Sequence, residues 1–517
     1  MAKKTTKKTV AKKKTSKADK SSAPASKKTT KKPVKKTTAK KTATKKASAK
    51  KTAAPKKNKT LADFQKVRPF NNYDKALNYL FSVTDYERAR HMRYNVDTFD
   101  LERMSKLLEL LGNPHKGKKF IHVAGTKGKG STATLLARLL QANGFKVGLY
   151  TSPHLLSLHE RIEFNSRRID QNELSEMINK SRPVVEYMEH VGMKPTFFEI
   201  FTALAILYFD QMGADISVLE TGLGGRLDAT NVVDPLVSII TRISIDHQYQ
   251  LGRTIDKIAY EKAGIIKPGV PVVTVEQEEA ALQVISEVAE KKGSPLWVIN
   301  KNVNFSARVE SSPEYGPHAR ICVDTETSMY HHIRVPLPGE HQAENLALAL
   351  AAIDQLKRME YEIDDEKIIE GIETVSLPGR MELIWNDPKV LIDVAHNAAS
   401  IKALIRAVGQ HVPYDSMVMI FGCNRDKDVV GMLKELQYGA DKLIFTRSNF
   451  PKAVSPTDLA ELYTEHTGKM CQTATSLGEA LQIARRAVNR DDLICITGSF
   501  YLAGQAKERF IKAAQRA

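Results

Sequence analysis

Phe120-Ile-His-Val-Ala-Gly-Thr-Lys-Gly-Lys-Gly-Ser-Thr132 is the stretch on which the fold turns. Its first four residues, Phe120 to Val123, are mostly apolar and read as a short buried strand. Gly125, Gly128 and Gly130 punctuate the loop that follows, and Thr132-Ala-Thr-Leu-Leu-Ala-Arg-Leu-Leu140 is a good helix former. A strand, a glycine-rich turn and a helix start make a phosphate cradle. Glycines let the backbone approach an anion, unpaired N–H groups at the helix N-terminus point at it, and Lys129 adds a positive charge. The template G-x-x-x-x-G-K-[ST] is not met, because Gly130 separates Lys129 from Ser131 and no glycine lies five residues before Gly128. The plainer alternative is a turn that only packs a helix on a sheet. The strand before it and the helix after it favour phosphate.

At 517 residues, and with about 150 residues per domain, the chain has room for three domains. Its net charge of +19 suggests a nucleic-acid binder until it is divided. Residues 1–60 hold 24 lysines, no arginine and one acid, Asp19, and so carry +23, which leaves −4 for the remaining 457. The body is therefore ordinary for a soluble enzyme. The tail is low-complexity Lys, Ala, Thr, Ser and Pro without an aromatic, so it cannot bury enough apolar surface to offset chain entropy and is expected to be disordered. It lacks the apolar core of a signal peptide and the arginines of a transit peptide. Non-specific contact with nucleic acid or anionic surfaces is one role open to it, and solvation without a dedicated partner is the other. No run of about eighteen apolar residues occurs, so no membrane span is expected. Cys322, Cys423, Cys471 and Cys495 are far apart and form no CxxC pair, and Cys322, Cys423 and Cys495 lie in or beside apolar stretches, which points to small core residues in a reducing compartment. The expected location is the cytoplasm.

Residues 61–119 read as helical, with apolar residues at helical spacing over 73–81 and 99–111. Strands are expected over 146–150, 215–221, 236–243 and 271–275, with helices over 196–212 and 254–267 between them. Short apolar strands alternating with helices are the mark of a parallel sheet with helices on both faces, whose ligands bind beyond the carboxyl ends of the strands. Residues 295–337 suggest a small antiparallel excursion, and 341–356 a strongly apolar helix. A second α/β unit follows, with strands over 390–394, 417–421, 442–446 and 493–497. The fold class is therefore α/β with two domains and a cleft between them. The expected boundaries are a disordered tail over 1–60, a first domain over 61–337, a linker helix region over 338–377 and a second domain over 378–517.

Glu220 leaves an apolar strand and enters the glycine-rich Thr-Gly-Leu-Gly-Gly225, where a carboxylate is placed to hold a hard cation beside a phosphate. The alternative is a carboxylate that caps its own loop. His247, after the next strand, is the second candidate ligand, against the commoner role of a satisfied loop histidine. Lys262, in a helix, reads on its own as a surface lysine.

The order of the motifs changes this reading. Gly125-Thr-Lys-Gly-Lys-Gly-Ser131, Thr151-Ser-Pro-His154, Glu220-Thr-Gly-Leu-Gly-Gly-Arg-Leu-Asp-Ala-Thr-Asn231, Asp246-His247 and Glu261-Lys-Ala-Gly264 follow one another at plausible spacings. His341-Gln-Ala-Glu-Asn345, Pro378-Gly-Arg-Met-Glu382, Asp393-Val-Ala-His-Asn397 and Thr497-Gly-Ser-Phe-Tyr-Leu502 come after them. This set closely resembles the folylpolyglutamate synthase/dihydrofolate synthase family of the ATP-dependent Mur ligase superfamily, from about residue 70 to the C-terminus. The resemblance implies a P-loop-type ATPase domain with a mainly parallel sheet, followed by a Rossmann-like α/β domain. It also implies ligation of L-glutamate to a folate or dihydropteroate carboxylate through an acyl phosphate, by a monomer.

Residue by residue, the resemblance implies that Gly125, Thr126, Lys127, Gly128, Lys129, Gly130 and Ser131 cradle the ATP phosphates. Asn345, Arg380, Asp393 and His396 fall on nucleotide-binding positions. Ser152, Glu220 and His247 match the ligands of Mg2+, of which two ions are expected. Lys262 matches a lysine carbamylated in the family, and Lys129, Lys262 and His247 are the candidate catalytic residues. Thr151, Ser152, Pro153, His154, Glu160 and Arg161 match the loop near the pterin. One departure is Lys127, where the commonest family loop has Asn; it either adds a phosphate contact or lies outward in solvent. The competing readings are a Mur-type ligase of cell-wall precursor synthesis and a nucleic-acid-associated protein that works through its tail. The extra Gly130 and the lack of a recognisable N-terminal UDP-binding domain disfavour the first.

Overall fold

Strand β1 (Phe120–Ala124) is buried along its whole length, as a strand covered by helices on both faces must be. The computed structural model describes residues 59–85 and 99–516. After β1 come β2 (Val147–Tyr150), β3 (Ile162–Phe164), β4 (Arg167–Arg168), β5 (Ile216–Glu220), β6 (Pro235–Ile240), β7 (Val272–Thr274) and β8 (Leu296–Val298). These eight form one sheet in the order β4-β3-β2-β5-β1-β6-β7-β8. From β2 to β8 across the sheet the strands run parallel, and β3 and β4 add an antiparallel edge. The chain departs to one side of β1 with β2 and returns on the other with β6. β1 therefore stands where the strand order reverses, which is where open α/β sheets bind ligands. Val123 pairs with Glu220 and Ala124 with Ile240, so the loops after β1, β5 and β6 leave the sheet side by side.

The antiparallel excursion is a separate three-stranded sheet of β9 (Asn304–Ser312), β10 (Gly316–Asp324) and β11 (Met329–Val335). The apolar helix after it runs from Glu340 to Arg358 and is buried from Gln342 to Leu356 on nearly every face. It shares one apolar core with Ile121 and Val123 of β1 and with Leu135 and Leu139 of the helix Lys129–Ala142. That packing sets Asn345 beside the glycine loop.

The second sheet holds β12 (Glu382–Asn386), β13 (Lys389–Ile392), β14 (Met417–Phe421), β15 (Lys442–Phe445), β16 (Gln472–Thr473) and β17 (Leu493–Thr497). Their order is β12-β13-β17-β14-β15-β16, and only β12 is antiparallel. The strand expected over 390–394 stops at Ile392 because Asp393 turns the chain, its carboxylate accepting from the amides of Met381 and Ala395. The four cysteines are free; Cys423 and Cys495 are buried in the core, whereas Cys322, on the small antiparallel sheet, and Cys471 are only half-buried. No helix among the described residues is long and apolar enough to cross a membrane. The tail over 1–60 lies outside the described residues, save for Lys59 and Thr60.

Candidate functional site

Gly128 caps the helix Lys129–Ala142 with φ of 83°, a left-handed conformation that favours glycine. A Cβ there would also lie 2.1 Å from Asn345 Oδ1. The amides of Thr126 and Lys127 both donate to the carbonyl of Arg242 at 3.0 Å, and the Thr126 hydroxyl donates to Ser244 O at 3.1 Å. These bonds stitch the glycine loop to the loop after β6. The amides of Thr126 and Lys127 are therefore occupied, and the first amides of the helix after Gly128 are the ones an anion could reach.

Glu220, the last residue of β5, is 4% exposed. Its Oε2 accepts from the Ser152 amide at 2.9 Å, and Lys129 Nζ stands 3.8 Å from Oε1. Burial pushes this carboxyl above its ordinary range, against the pull of Lys129. The seemingly misplaced Gly130 has a reason here: a Cβ on it would come within 3.1 Å of Glu220 Oε2.

Lys262 corrects the surface reading. It lies in the last turn of the helix Ile255–Ala263, is 4% exposed, and donates to Gly125 O at 2.6 Å. Burial, with Lys129 adding to it, brings the amine down to about 7.

His247 precedes a short helix, Gln248–Leu251. Its Nε2 lies 3.0 Å from Lys427 Nζ. Burial and the Lys427 charge hold the imidazole neutral, near 3. Beside it Asp246 gathers charge from both domains. Lys427 Nζ donates to its Oδ1 at 2.9 Å and Asn397 Nδ2 to its Oδ2 at 3.1 Å, with Lys127 Nζ at 3.7 Å and His396 Nε2 at 3.8 Å from that same oxygen. Burial alone would raise this carboxyl, yet Lys427 and its neighbours hold it well below the usual range. Lys127 thus points inward, and its buried ammonium has no hydrogen-bond acceptor among the described residues.

From the second domain, the Arg380 side chain donates to Ser131 Oγ at 3.4 Å and its guanidinium lies over the ring of Phe500. Asn345 accepts from the Thr132 hydroxyl at 3.4 Å. Glu160 folds its own loop, accepting from the amides of Leu155 at 2.7 Å and Ser157 at 3.2 Å. Arg161 is 2% exposed and donates to His154 Nδ1 at 3.0 Å.

All of the candidate site residues except His154 and Arg161 line one cleft of about 1080 Å³. Those two are bonded to each other. Asp246, Asn397 and Lys427 are functional candidates that the sequence reading missed. Asp246 adjoins His247 and Asn397 adjoins His396, but no local pattern ties either to Lys427.

The geometry can be set beside known proteins. Residues 123–353 match the Mur ligase middle domain, and residues 379–500 match the Mur ligase glutamate ligase domain. Dihydrofolate synthase/folylpolyglutamate synthase of Bacillus subtilis (strain 168) is 36% identical over 413 residues, 79% of this chain and 94% of the relative. The chain belongs to the folylpolyglutamate synthase/dihydrofolate synthase family. A folylpolyglutamate synthase of Mycobacterium tuberculosis, solved in complex with ADP, superposes with a TM-score of 0.77 at 30% identity, over 85% of this chain and 98% of the other. A solved FPGS–AMPPCP–folate complex superposes at 0.73 with 31% identity, over 85% of this chain and 100% of the other.

As a member of this family the chain is expected to use Mg2+, and the residues at hand bear on that directly. Among the described residues no three His, Cys, Asp or Glu side chains gather to hold a metal ion. Glu220 is nonetheless a buried carboxylate beside the phosphate cradle, with one backbone amide and a lysine 3.8 Å away to offset its charge. That environment suits Mg2+, which is held by one or two carboxylates together with substrate phosphates and water.

Proposed function

We propose that this chain is an ATP-dependent ligase that joins L-glutamate to the carboxylate of a folate or dihydropteroate through an acyl phosphate. One observation carries the reading. The glycine loop, Glu220 and Lys262 converge at the ends of β1 and β5, and Arg380, His396 and Lys427 face them across the same cleft. A carboxylate is a poor acyl donor. Transfer of the γ-phosphoryl group of ATP to one of its oxygens releases ADP and makes phosphate the leaving group. The amine of glutamate then attacks the carbonyl carbon, and the tetrahedral intermediate collapses to the amide and inorganic phosphate. The protein's part is alignment and neutralisation of charge. The helix N-terminus after Gly128, Lys129 and Arg380 supply positive potential to the phosphates, and Asn345 and His396 border the nucleotide.

Two Mg2+ ions would be held by Glu220 with Ser152 and His247, and would draw charge from the phosphate oxygens. Glu220 carries most of this fit, because His247 faces Lys427. Lys262 supports the site as a carbamate. Its neutral amine adds to carbon dioxide with loss of one proton, and the lysines at 127 and 129, whose charges depress that amine, favour the resulting anion. The same reading takes the enzyme to be a cytoplasmic monomer.

The test is ATP turnover with L-glutamate and each of dihydropteroate, tetrahydrofolate and a cell-wall precursor. Turnover with one or both pterins is expected. Activity confined to the cell-wall precursor would transfer the chain to Mur-type chemistry, and turnover with none of the three would overturn the ligase reading.

A further inference from the structure

We infer that Arg226, Asn231 and Glu261 are positioning residues for Lys262, clamping the segment after β5 to the helix Ile255–Ala263 that carries it. None of the three lines the cleft, so each would act through Lys262 and not on a ligand. The inference rests on the ligase reading above, in which Lys262 serves the phosphate site.

Lys262 lies in the last turn of its helix, where carbonyls lack intrahelical partners and the chain frays unless something holds it. The segment after β5 supplies the hold. The Arg226 amide donates to Glu261 O at 2.7 Å, and Asn231 Nδ2 donates to Arg226 O at 3.0 Å and to Gly264 O at 3.1 Å. The Arg226 guanidinium closes the joint, donating from Nε and Nη2 to the two carboxylate oxygens of Glu261 at 3.1 and 2.9 Å. The two segments touch so closely that a Cβ on Gly225 would lie 2.9 Å from both Glu261 O and Lys262 O. At its other end Lys262 donates to Gly125 O. Its backbone is thus tied to the segment that begins beside Glu220, and its amine to the first glycine loop.

The Arg226 side chain is 38% exposed, and an ion pair so open to solvent adds little stability. What a bidentate guanidinium–carboxylate pair does supply is a fixed distance and angle. Lys262 needs both, because a long flexible side chain keeps its place only where its backbone is fixed, and small misplacements of an active group are costly.

The experiment is steady-state kinetics on the full chain, with Arg226→Met, Glu261→Gln and Asn231→Ala made alone and in combination with Lys262→Ala. Each single change is expected to lower kcat by about tenfold or more, while the KM values for ATP, the pterin and glutamate stay within about twofold. In the Lys262→Ala background the same changes cost less than about twofold, because the residue they place is gone. Arg226→Lys keeps the charge without the fork and recovers only part of the turnover. Glu261→Gln carries the test should Arg226→Met fail to fold by circular dichroism. A readout apart from turnover is the carbamate resonance of protein equilibrated with carbon-13-labelled bicarbonate, assigned by its loss in Lys262→Ala, which should weaken in the clamp variants. Unchanged kcat in the folded single variants, or equal losses with and without Lys262, would overturn the clamp and leave the ligase reading in place. A wild-type enzyme that ligates no amino acid would overturn both.

Discussion

Lys262 shows how far a single side chain's meaning depends on its surroundings. In sequence it is a lysine in a polar helix, and the ordinary expectation is solvent. In the fold its ammonium is enclosed, donates to Gly125 O, and lies in the field of Lys129 and Lys127. Positive neighbours make a lysine reluctant to hold its proton and make an anion in the same place welcome. Replacing Lys262 with Ala is therefore expected to lower kcat by at least about 100-fold, in the range set by loss of an electrostatic group from an active site. Added formate or acetate should restore part of it by supplying the missing carboxylate. Turnover that is equally low with and without these anions would count against the carbamate. Lys127 gives the complementary lesson. The sequence left two orientations open, and the inward one wins because Asp246, far along the chain, waits for it. Only the family resemblance gave Lys262 a role before the fold was known, and nothing local gave Asp246 one.

Strand β1 carries a different kind of constraint. It was legible from its apolar run and the glycines after it, since a strand covered on both faces admits little else. His122 interrupts that run, yet it has no exposed surface, and its Nε2 lies 2.8 Å from the hydroxyl oxygen of Thr230. Burial, with a smaller push from Lys267, holds the imidazole near 3 instead of the usual 6.5. Between those values the unfolded chain binds a proton that the folded chain does not, so stability rises with pH through this window and falls as the solution is acidified. At pH 5 the deficit from this one group is about 2 kcal/mol, at about 1.4 kcal/mol per unit. Urea denaturation at pH 7.5 and pH 5 measures it, with His122→Gln expected to flatten the difference by that amount. An identical pH dependence in the two proteins would show that His122 takes up its proton in the folded state. The elements expected from the sequence stand within a few residues of their observed places, whereas the helices Gln171–His190 and Glu279–Lys291 and the edge strands β3 and β4 were not foreseen. Element ends were less legible, because they are set by partners distant in sequence, as Asp393 sets the end of β13 through Met381.

At the scale of the whole molecule, the two sheets meet at Asp246, which receives Lys127 from the glycine loop and Lys427 and Asn397 from the second domain. Removing the charge on a carboxylate that lies among buried cations is costly, on the order of 3–5 kcal/mol for a broken buried pair. Asp246→Asn should therefore loosen the junction, seen as faster amide hydrogen exchange across residues 424–428 together with a fall in kcat. Unchanged exchange there would show that the domains are held by other contacts. The basic tail is a matter of charge. Residues 1–58 hold 23 lysines and Asp19, whereas residues 61–517 carry −4. Cutting after Asn58 spares Thr60, whose amide and hydroxyl contact the Asp63 carboxylate at 3.0 and 3.2 Å at the start of the first described helix. Since every candidate site residue lies beyond residue 120, the shortened enzyme is expected to keep the kcat and KM of the full chain. Any retardation of DNA by the full chain should weaken steeply with added salt, as counterion release requires, and should vanish with the tail. Retardation that survives the cut would place the anion-binding surface on the folded body. A collapse of turnover would show that the lysines serve the ligase itself.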